Sequence, residues 1–445
     1  MVRSRDTIAQ TAEQSPCTTR RRRHSVEHTR KRQKIKSSET ETRTDIQTLN
    51  SNSTRASSSC KRQNSNSYGR KQDLCRRKSR RTLCKRNWTY SERDASKHND
   101  RVVIVSYNIL GVENATRHPH LYSRVKPEYM NWEYRKKILC KEIRGYQPSI
   151  LCLQASEVDH FDDLNKILRK DGFRGLYKAR SGDSHDGCAI FWKSDLFTLL
   201  DEENIEFQRF GLRHNVAQFC VLKMNQDLHK ADDTSSASTS HSIVVGNIHV
   251  LYNPNRGDIK LGQMRMFLEK AYELSQKWGC IPVVVTGDLN SLPQSALYEY
   301  VASSKLHVQQ HDRRQISGQL CSSGYTESRY LHNRIGRWTD EEKLLATGSR
   351  DNSLKHPLML HSAYTGIPGS SKVRDKAGEP LTTSYHSAFS GTVDYIWHTS
   401  DLVPVKVLES LPTPSLKKTG GLPSKEWGSD HLAIACELAF ANDSD

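Results

Sequence analysis

The 445-residue sequence predicts a layered α/β domain with its sheets inside, over residues 101–445, preceded by a basic tail over residues 1–100. Three observations carry this. Charge divides unevenly: residues 1–99 hold 26 Lys and Arg against 9 Asp and Glu, a net +17 equal to that of the entire chain. From residue 102 onward, short apolar runs of strand length appear, several apolar throughout as strands covered on both faces are. Between some of these runs, apolar residues recur at helical spacing. Strands interleaved with helices make a layered α/β pattern.

The tail comes first. Its large apolar residues are few (Ile8, Val26, Ile35, Leu49, Leu74 and Trp88 are most of them), too few to offset backbone entropy, and it is expected to be disordered. Arg20 to Arg23, Arg30-Lys31-Arg32, Arg76-Arg77-Lys78 and Arg80-Arg81 form clusters that fit nuclear import or loose contact with RNA phosphates. Strands are expected at Val102–Leu110, Ser149–Gln154, Gly187–Lys193, Phe219–Met224, Ile243–Val250, Pro282–Thr286, Thr392–Thr399 and Leu432–Phe440. Leu261, Met264, Leu268, Ala271, Leu274 and Trp278 share one helical face, and Asp162–Lys170 predicts a second helix with Leu164, Ile167 and Leu168 inward. Gln226–Ser240 reads as a surface loop, and 307–383 as a long loop with few periodic runs.

Several classes are excluded. No apolar run approaches the ~18–20 residues of a membrane span, so no membrane role is expected. Eleven cysteines with no CxxC pair argue against a disulfide framework or a zinc site, and Cys152, Cys188, Cys220 and Cys436 read as reduced core residues. The expected location is intracellular, in nucleus and cytoplasm. No leucine-rich period is present to serve as a docking module.

Polar residues gather where the expected strands end. Asn108 closes Ser106-Tyr107-Asn108; Glu157 follows Leu151-Cys152-Leu153-Gln154; Asp186 precedes Gly187-Cys188-Ala189. His249 ends an apolar run, Asp288 and Asn290 lie in Gly287-Asp288-Leu289-Asn290-Ser291, Asp394 interrupts Thr392-Val393-Asp394-Tyr395, and Ser429-Asp430-His431 opens the last strand. A single Asp or Asn at a strand end usually makes a turn. A whole set of carboxylates, amides and imidazoles suits a hard, oxygen-ligated cation and phosphate chemistry.

In this order, these motifs resemble the endonuclease/exonuclease/phosphatase superfamily. Ser291-Leu292-Pro293, Thr383-Ser384-Tyr385-His386-Ser387 and Asp394-Tyr395-Ile396-Trp397 make the chain similar, over about 101–440, to plant homologs of the carbon catabolite repressor 4 deadenylases. The resemblance implies a four-layered α/β sandwich with two central β-sheets flanked by helices. It also implies Mg²⁺-dependent 3′→5′ shortening of single-stranded poly(A) 3′ ends of RNA to 5′-AMP, with a two-ion site possible and Mn²⁺ a possible substitute. Carried over to this sequence, Asn108 and Glu157 would hold the principal ion, with Asp430 supporting the metal side. Asp288 would activate water, Asn290 would orient phosphate or water, His249 would contact the scissile phosphate, and Asp394 would orient His431. Phe389 and Pro254 would stack adenine. Other subunits of a deadenylase complex are possible partners, although the docking module is lacking. The other readings are a relative acting on a dinucleotide phosphate, an abasic DNA site or a phosphoinositide, and a catalytically impaired RNA-binding protein.

The impaired reading comes from one departure. The family runs Leu-Cys-Leu-Gln-Glu-Val-Asp, whereas here Ala155-Ser156 separates Gln154 from Glu157. In an extended strand two residues displace the carboxylate by about 6–7 Å, far more than a Mg²⁺–oxygen bond of ~2.0–2.1 Å. The expectation is that the extra pair bulges out and leaves Glu157 on the metal; the alternative is that Ala155 takes the ligand's place.

Overall fold

The computed structural model describes residues 86–93, 100–225, 241–319 and 338–441. The expected disorder of residues before 86 and the loop Gln226–Ser240 lie outside them. Strands β1 (Trp88–Tyr90), β2 (Arg101–Asn108), β3 (Ile150–Glu157), β4 (Phe173–Ala179) and β5 (Asp186–Lys193) are followed by β6 (Phe197–Glu206), β7 (Val216–Met224), β8 (Ser242–His249) and β9 (Val283–Asp288). After the short β10 (Lys305–His307), β11 (Ser353–Lys355), β12 (His361–Ser362), β13 (Ser384–His386) and β14 (Phe389–Gly391) come β15 (Asp394–His398), β16 (Leu402–Leu408) and β17 (Ile434–Phe440). The helices are α1 (Val112–Arg117), α2 (Pro127–Met130), α3 (Trp132–Tyr146), α4 (Val158–Lys170), α5 (Gly257–Lys277), α6 (Ala296–Ser303), α7 (Asp340–Thr347) and α8 (Thr413–Lys417).

Two sheets form the centre. One is ordered β1-β16-β17-β2-β3-β5-β4, the other β12-β15-β9-β8-β7-β6. The apolar residues sort into three main layers. Ile104, Cys152 and Ile190 from the first sheet meet Cys220, Val245 and Val284 from the second, a core between the sheets. Val105, Tyr107 and Leu153 face outward from the first sheet onto Leu139 of α3 and Leu164 of α4. Phe219, Val244 and Val285 face outward from the second onto Met264, Phe267 and Leu268 of α5. The result is helix, sheet, sheet, helix: the four-layered sandwich expected. Because strand side chains alternate between faces and both faces are covered, β2, β3 and β8 are apolar nearly throughout. Each fully buried Leu, Phe or Met on α5 contributes about 1.5–3 kcal/mol.

Local chemistry sets the helix starts. Asn131 caps α3 by accepting from Tyr134 N–H, Ser295 caps α6 by accepting from Tyr298 N–H, and Thr339 with Glu342 makes a capping box on α7. Among the described residues no helix is long and apolar enough to cross a membrane. The buried thiols of Cys152, Cys188, Cys220 and Cys436 are free.

Two expectations need correction. The domain does not begin at 101: β1 adds to the sheet edge, Trp88 opposite Leu408 and Tyr90 opposite Lys406, and Lys406 Nζ lies 5.0 Å from the Trp88 ring centre. The tail's Trp88 thus belongs to the folded unit. Residues 307–383 are not one long loop either, since α7, β11 and β12 lie within them.

Candidate active site

The strands bring their polar ends to one rim. β8 and β9 run parallel, so His249 and Asp288 are register partners at their C-terminal ends. β15 runs antiparallel to β9, which puts its first residue, Asp394, opposite Asp288. In the other sheet β2 ends at Asn108 beside the start of β17, with Ser106 opposite Ile434. Crevices at the carboxyl ends of strands are where open α/β sheets bind ligands. Here a cavity of about 320 Å³ opens, lined in part by Asn108, Asp288, Asn290, Asp430 and His431.

Asp288 is the centre of this wall. It is 1% exposed, and its Oδ2 accepts from Asn108 Nδ2 (3.0 Å) and its Oδ1 from Asn290 N–H (2.8 Å). His249 Nε2 stands 3.4 Å and His431 Nε2 3.9 Å from Asp288 Oδ2. Asn290 takes a left-handed conformation (φ 44°), which asparagine tolerates better than most residues. Its side chain donates to Val250 C=O at 3.0 Å, which locks the turn after β9.

His431 Nδ1 donates to Asp394 Oδ2 at 2.9 Å, and Thr383 Oγ1 donates to the same oxygen at 2.6 Å. Burial alone would lower the His431 pKa; the Asp394 carboxylate outweighs it, with Asp430 and Asp288 adding, and holds the imidazolium up to about 10. At neutral pH His431 therefore carries a proton, with Nε2 turned towards Asp288. His249 differs: burial depresses its pKa despite Asp288, and it is a neutral ring. One histidine is a buried cation and the other a neutral hydrogen-bonding group.

Asp430 accepts from Tyr122 OH at 2.9 Å. Asp288, Asp394 and His431 offer ligand atoms within 4.8 Å of one another. Asp394 is engaged by the protonated His431, which makes that trio a poor cage for a cation. Asn108, Asp288 and Asp430 are the oxygen donors of the cavity wall that could hold a hard divalent ion.

Glu157 is the exception, and its expected place on the metal is corrected here. Leu153 pairs with Ala189 and Ser156 with Gly187, so Gln154 and Ala155 together oppose Cys188. This is a β-bulge, with Ala155 at φ 53°. The bulge does form, but it points the wrong side chain inward: Ala155 lines the cavity. Glu157 Oε1 instead accepts from Glu113 N–H at 2.7 Å, Oε2 lies 3.5 Å from His160 Nε2, and the carboxylate borders a separate depression with Asp159 and His185. Gln154 fixes this outcome. It is fully buried and donates to Ser106 Oγ (3.0 Å) and Asn247 Oδ1 (2.8 Å), so the strand is anchored up to 154 and the extra residues appear after it.

Phe389 and Pro254 both line the cavity mouth, joined by Tyr252, which is 59% exposed. Sequence reasoning passed over Tyr122, Thr383, Tyr252 and Arg180. Arg180 reaches the cavity while paired at 3.0 Å with Asp186, which stands behind the wall. Thr383 lay within a motif quoted above, but its bond to Asp394 depends on the turn between β13 and β14 and has no local signal.

Four similarities accompany this geometry. The model of the Endonuclease/Exonuclease/phosphatase family matches residues 105–431. Carbon catabolite repressor protein 4 homolog 5 of Arabidopsis thaliana is 54% identical over 371 residues, 80% of this chain and 81% of that protein; homolog 3 is 46% identical over 80% of each. The crystal structure of ANGEL2, a 2′,3′-cyclic phosphatase, in complex with adenosine-2′,3′-vanadate, superposes with a TM-score of 0.66 at 30% identity, covering 80% of this chain and 99% of that one.

Proposed function

The chain belongs to the endonuclease/exonuclease/phosphatase family, and from that premise we propose that it is a divalent-metal-dependent 3′→5′ exoribonuclease, trimming single-stranded poly(A) 3′ ends to 5′-AMP. One observation carries this reading: the buried Asp394–His431 pair beside Asp288, at the floor of a cavity whose mouth holds Phe389 and Pro254. Asp288 accepts a proton from a water that Asn290 helps to orient. That water attacks the last phosphorus; the P–O3′ bond breaks, the phosphate leaves on the terminal nucleotide as 5′-AMP, and O3′ is reprotonated from solvent. The cationic His431 neutralises charge gathering on the phosphoryl oxygens, and neutral His249 hydrogen-bonds the phosphate. Members of this family typically depend on a divalent metal; Asn108, Asp288 and Asp430 would hold Mg²⁺ or Mn²⁺, which supplies Lewis-acid stabilisation of the same charge. Phe389 and Pro254 offer a stacking face that any base accepts.

The reading extends to RNA as the macromolecular partner and to nucleus and cytoplasm as compartments. A second reading is favoured by one comparison: ANGEL2, 30% identical in its structure in complex with adenosine-2′,3′-vanadate, is a 2′,3′-cyclic phosphatase. Two forms of one oligoadenylate-tailed RNA separate them, ending in a free 3′-hydroxyl or in a 2′,3′-cyclic phosphate. Exonuclease action shortens the first and releases 5′-AMP. Loss of the cyclic phosphate with no shortening of the first selects the second reading. Binding with no turnover of either identifies an impaired enzyme.

A further inference from the structure

Lys260 stands on the first turn of α5, directly behind the catalytic turn, and is 0% exposed. Removing a lysine ammonium from water is costly unless the charge is matched. Here the match is thin. Among the described residues its ammonium has one hydrogen-bond acceptor, the Asn290 carbonyl at 2.7 Å, and one favourable charge, Asp288. Burial accordingly pushes the Lys260 pKa down to about 7. On the same turns of α5 Ile259, Leu261 and Met264 are buried apolar residues, while the buried Asp258 is already paired with Arg256 and the buried Gln263 donates to Leu212 C=O.

The target is specific. Asn290 is the left-handed residue that donates its backbone N–H to Asp288 Oδ1. Lys260 therefore grips the carbonyl of the same residue whose backbone N–H orients the Asp288 carboxylate. The remaining restraints come from other directions: Asn290 Nδ2 to Val250 C=O, and Tyr395 OH to Ser291 C=O at 2.8 Å.

We propose that Lys260 is a positioning residue for catalysis, a buried amine whose bond to Asn290 C=O holds the Asp288–Asn290 turn in its reactive geometry at a cost to stability. The proposal rests on the reading of Asp288 and Asn290 as catalytic groups. It has an unusual signature, because a residue that only held the fold together would lower stability when removed. Lys260→Met keeps the volume and removes the donor to Asn290 C=O together with an ionisable group whose burial is costly, so the lost hydrogen bond is offset by the relieved desolvation.

The test measures Lys260→Met and Lys260→Gln in the full chain, with Asp288→Asn as the control. The RNA is whichever of the two forms described above wild type turns over. For Lys260→Met the expected result is a kcat ~10-fold or more below wild type, KM within about threefold, and a melting temperature equal to or above wild type. Lys260→Gln, which keeps a donor without the charge, is expected to recover part of the kcat. A Lys260→Met protein with wild-type kcat overturns the proposal, as does one whose kcat loss only matches a lowered folded fraction. If Asp288→Asn retains activity, the reading of the catalytic turn fails instead, and the two failures are told apart in one experiment.

Discussion

At the scale of single residues, the most consequential feature is that two histidines on one carboxylate wall have opposite charge states. His431 is kept protonated by Asp394, and His249 is kept neutral by burial. The sign of the pH dependence follows. A folded-state pKa of about 10, raised above the unfolded ~6.5, gives stability that is fully present below pH ~6.5 and lost as pH rises through about 10. Activity that needs the imidazolium should persist on the alkaline side to near that pH. Asp394→Asn removes the raising charge, so its alkaline limb should move towards neutrality and its rate at pH 8 should fall ~100-fold or more. A mutant with an unmoved alkaline limb would mean that another group titrates there. These residues were legible in the sequence because each ends or begins an apolar run. Thr383, Tyr122 and Lys260 were not, since each meets its partner only across the fold.

Among the elements, β3 decides how much metal-binding power the cavity has. Its bulge places Ala155 inward and leaves Glu157 bonded to the first turn of α1. Sequence alone defined the alternatives but not the answer, because the answer turns on Gln154 being pinned to Asn247 in the facing sheet. Deleting Ala155-Ser156 should bring a carboxylate to the wall, tighten Mg²⁺ binding measured by titration calorimetry, and raise turnover ~10-fold, worth about 1.4 kcal/mol. Glu157→Ala in the unmodified chain should change turnover by less than about threefold. Loss of activity in Glu157→Ala would put Glu157 back on the metal. Similar physics governs which strands could be read. β2, β3, β5, β8 and β9, covered on both faces, announce themselves as apolar runs. β6, an edge strand reading Phe-Thr-Leu-Leu-Asp-Glu-Glu-Asn-Ile-Glu, and β16, interrupted by Pro404 at a bulge, do not. α3 also escaped, its apolar Leu139 and Ile143 diluted by seven charged side chains in a 15-residue helix.

For the whole molecule, charge and fold divide at different points. The +17 of residues 1–99 suggests a boundary near 100, yet β1 places residues 88–90 in the sheet. Two truncations distinguish these boundaries. Removing residues 1–85 should leave the melting temperature unchanged and flatten the salt dependence of RNA binding, since fewer phosphate counterions are released. Removing residues 1–99 should flatten the salt dependence likewise but lower the melting temperature, destabilising the domain by about 2 kcal/mol, the scale of losing the burial of one large side chain such as Trp88. Equal melting temperatures for the two truncations would show that β1 contributes nothing. The sandwich itself brings the ends of β2, β8, β9 and β15 to a single rim. The most direct measurement is a time course on 5′-labelled oligoadenylate-tailed RNA with Mg²⁺, run for wild type, for Asp288→Asn, and for wild type with EDTA. The predicted result is stepwise shortening with release of 5′-AMP by wild type alone, slowed ~100-fold or more in Asp288→Asn and stopped by EDTA; an RNA left full-length by wild type, or shortened as fast by Asp288→Asn, would contradict it.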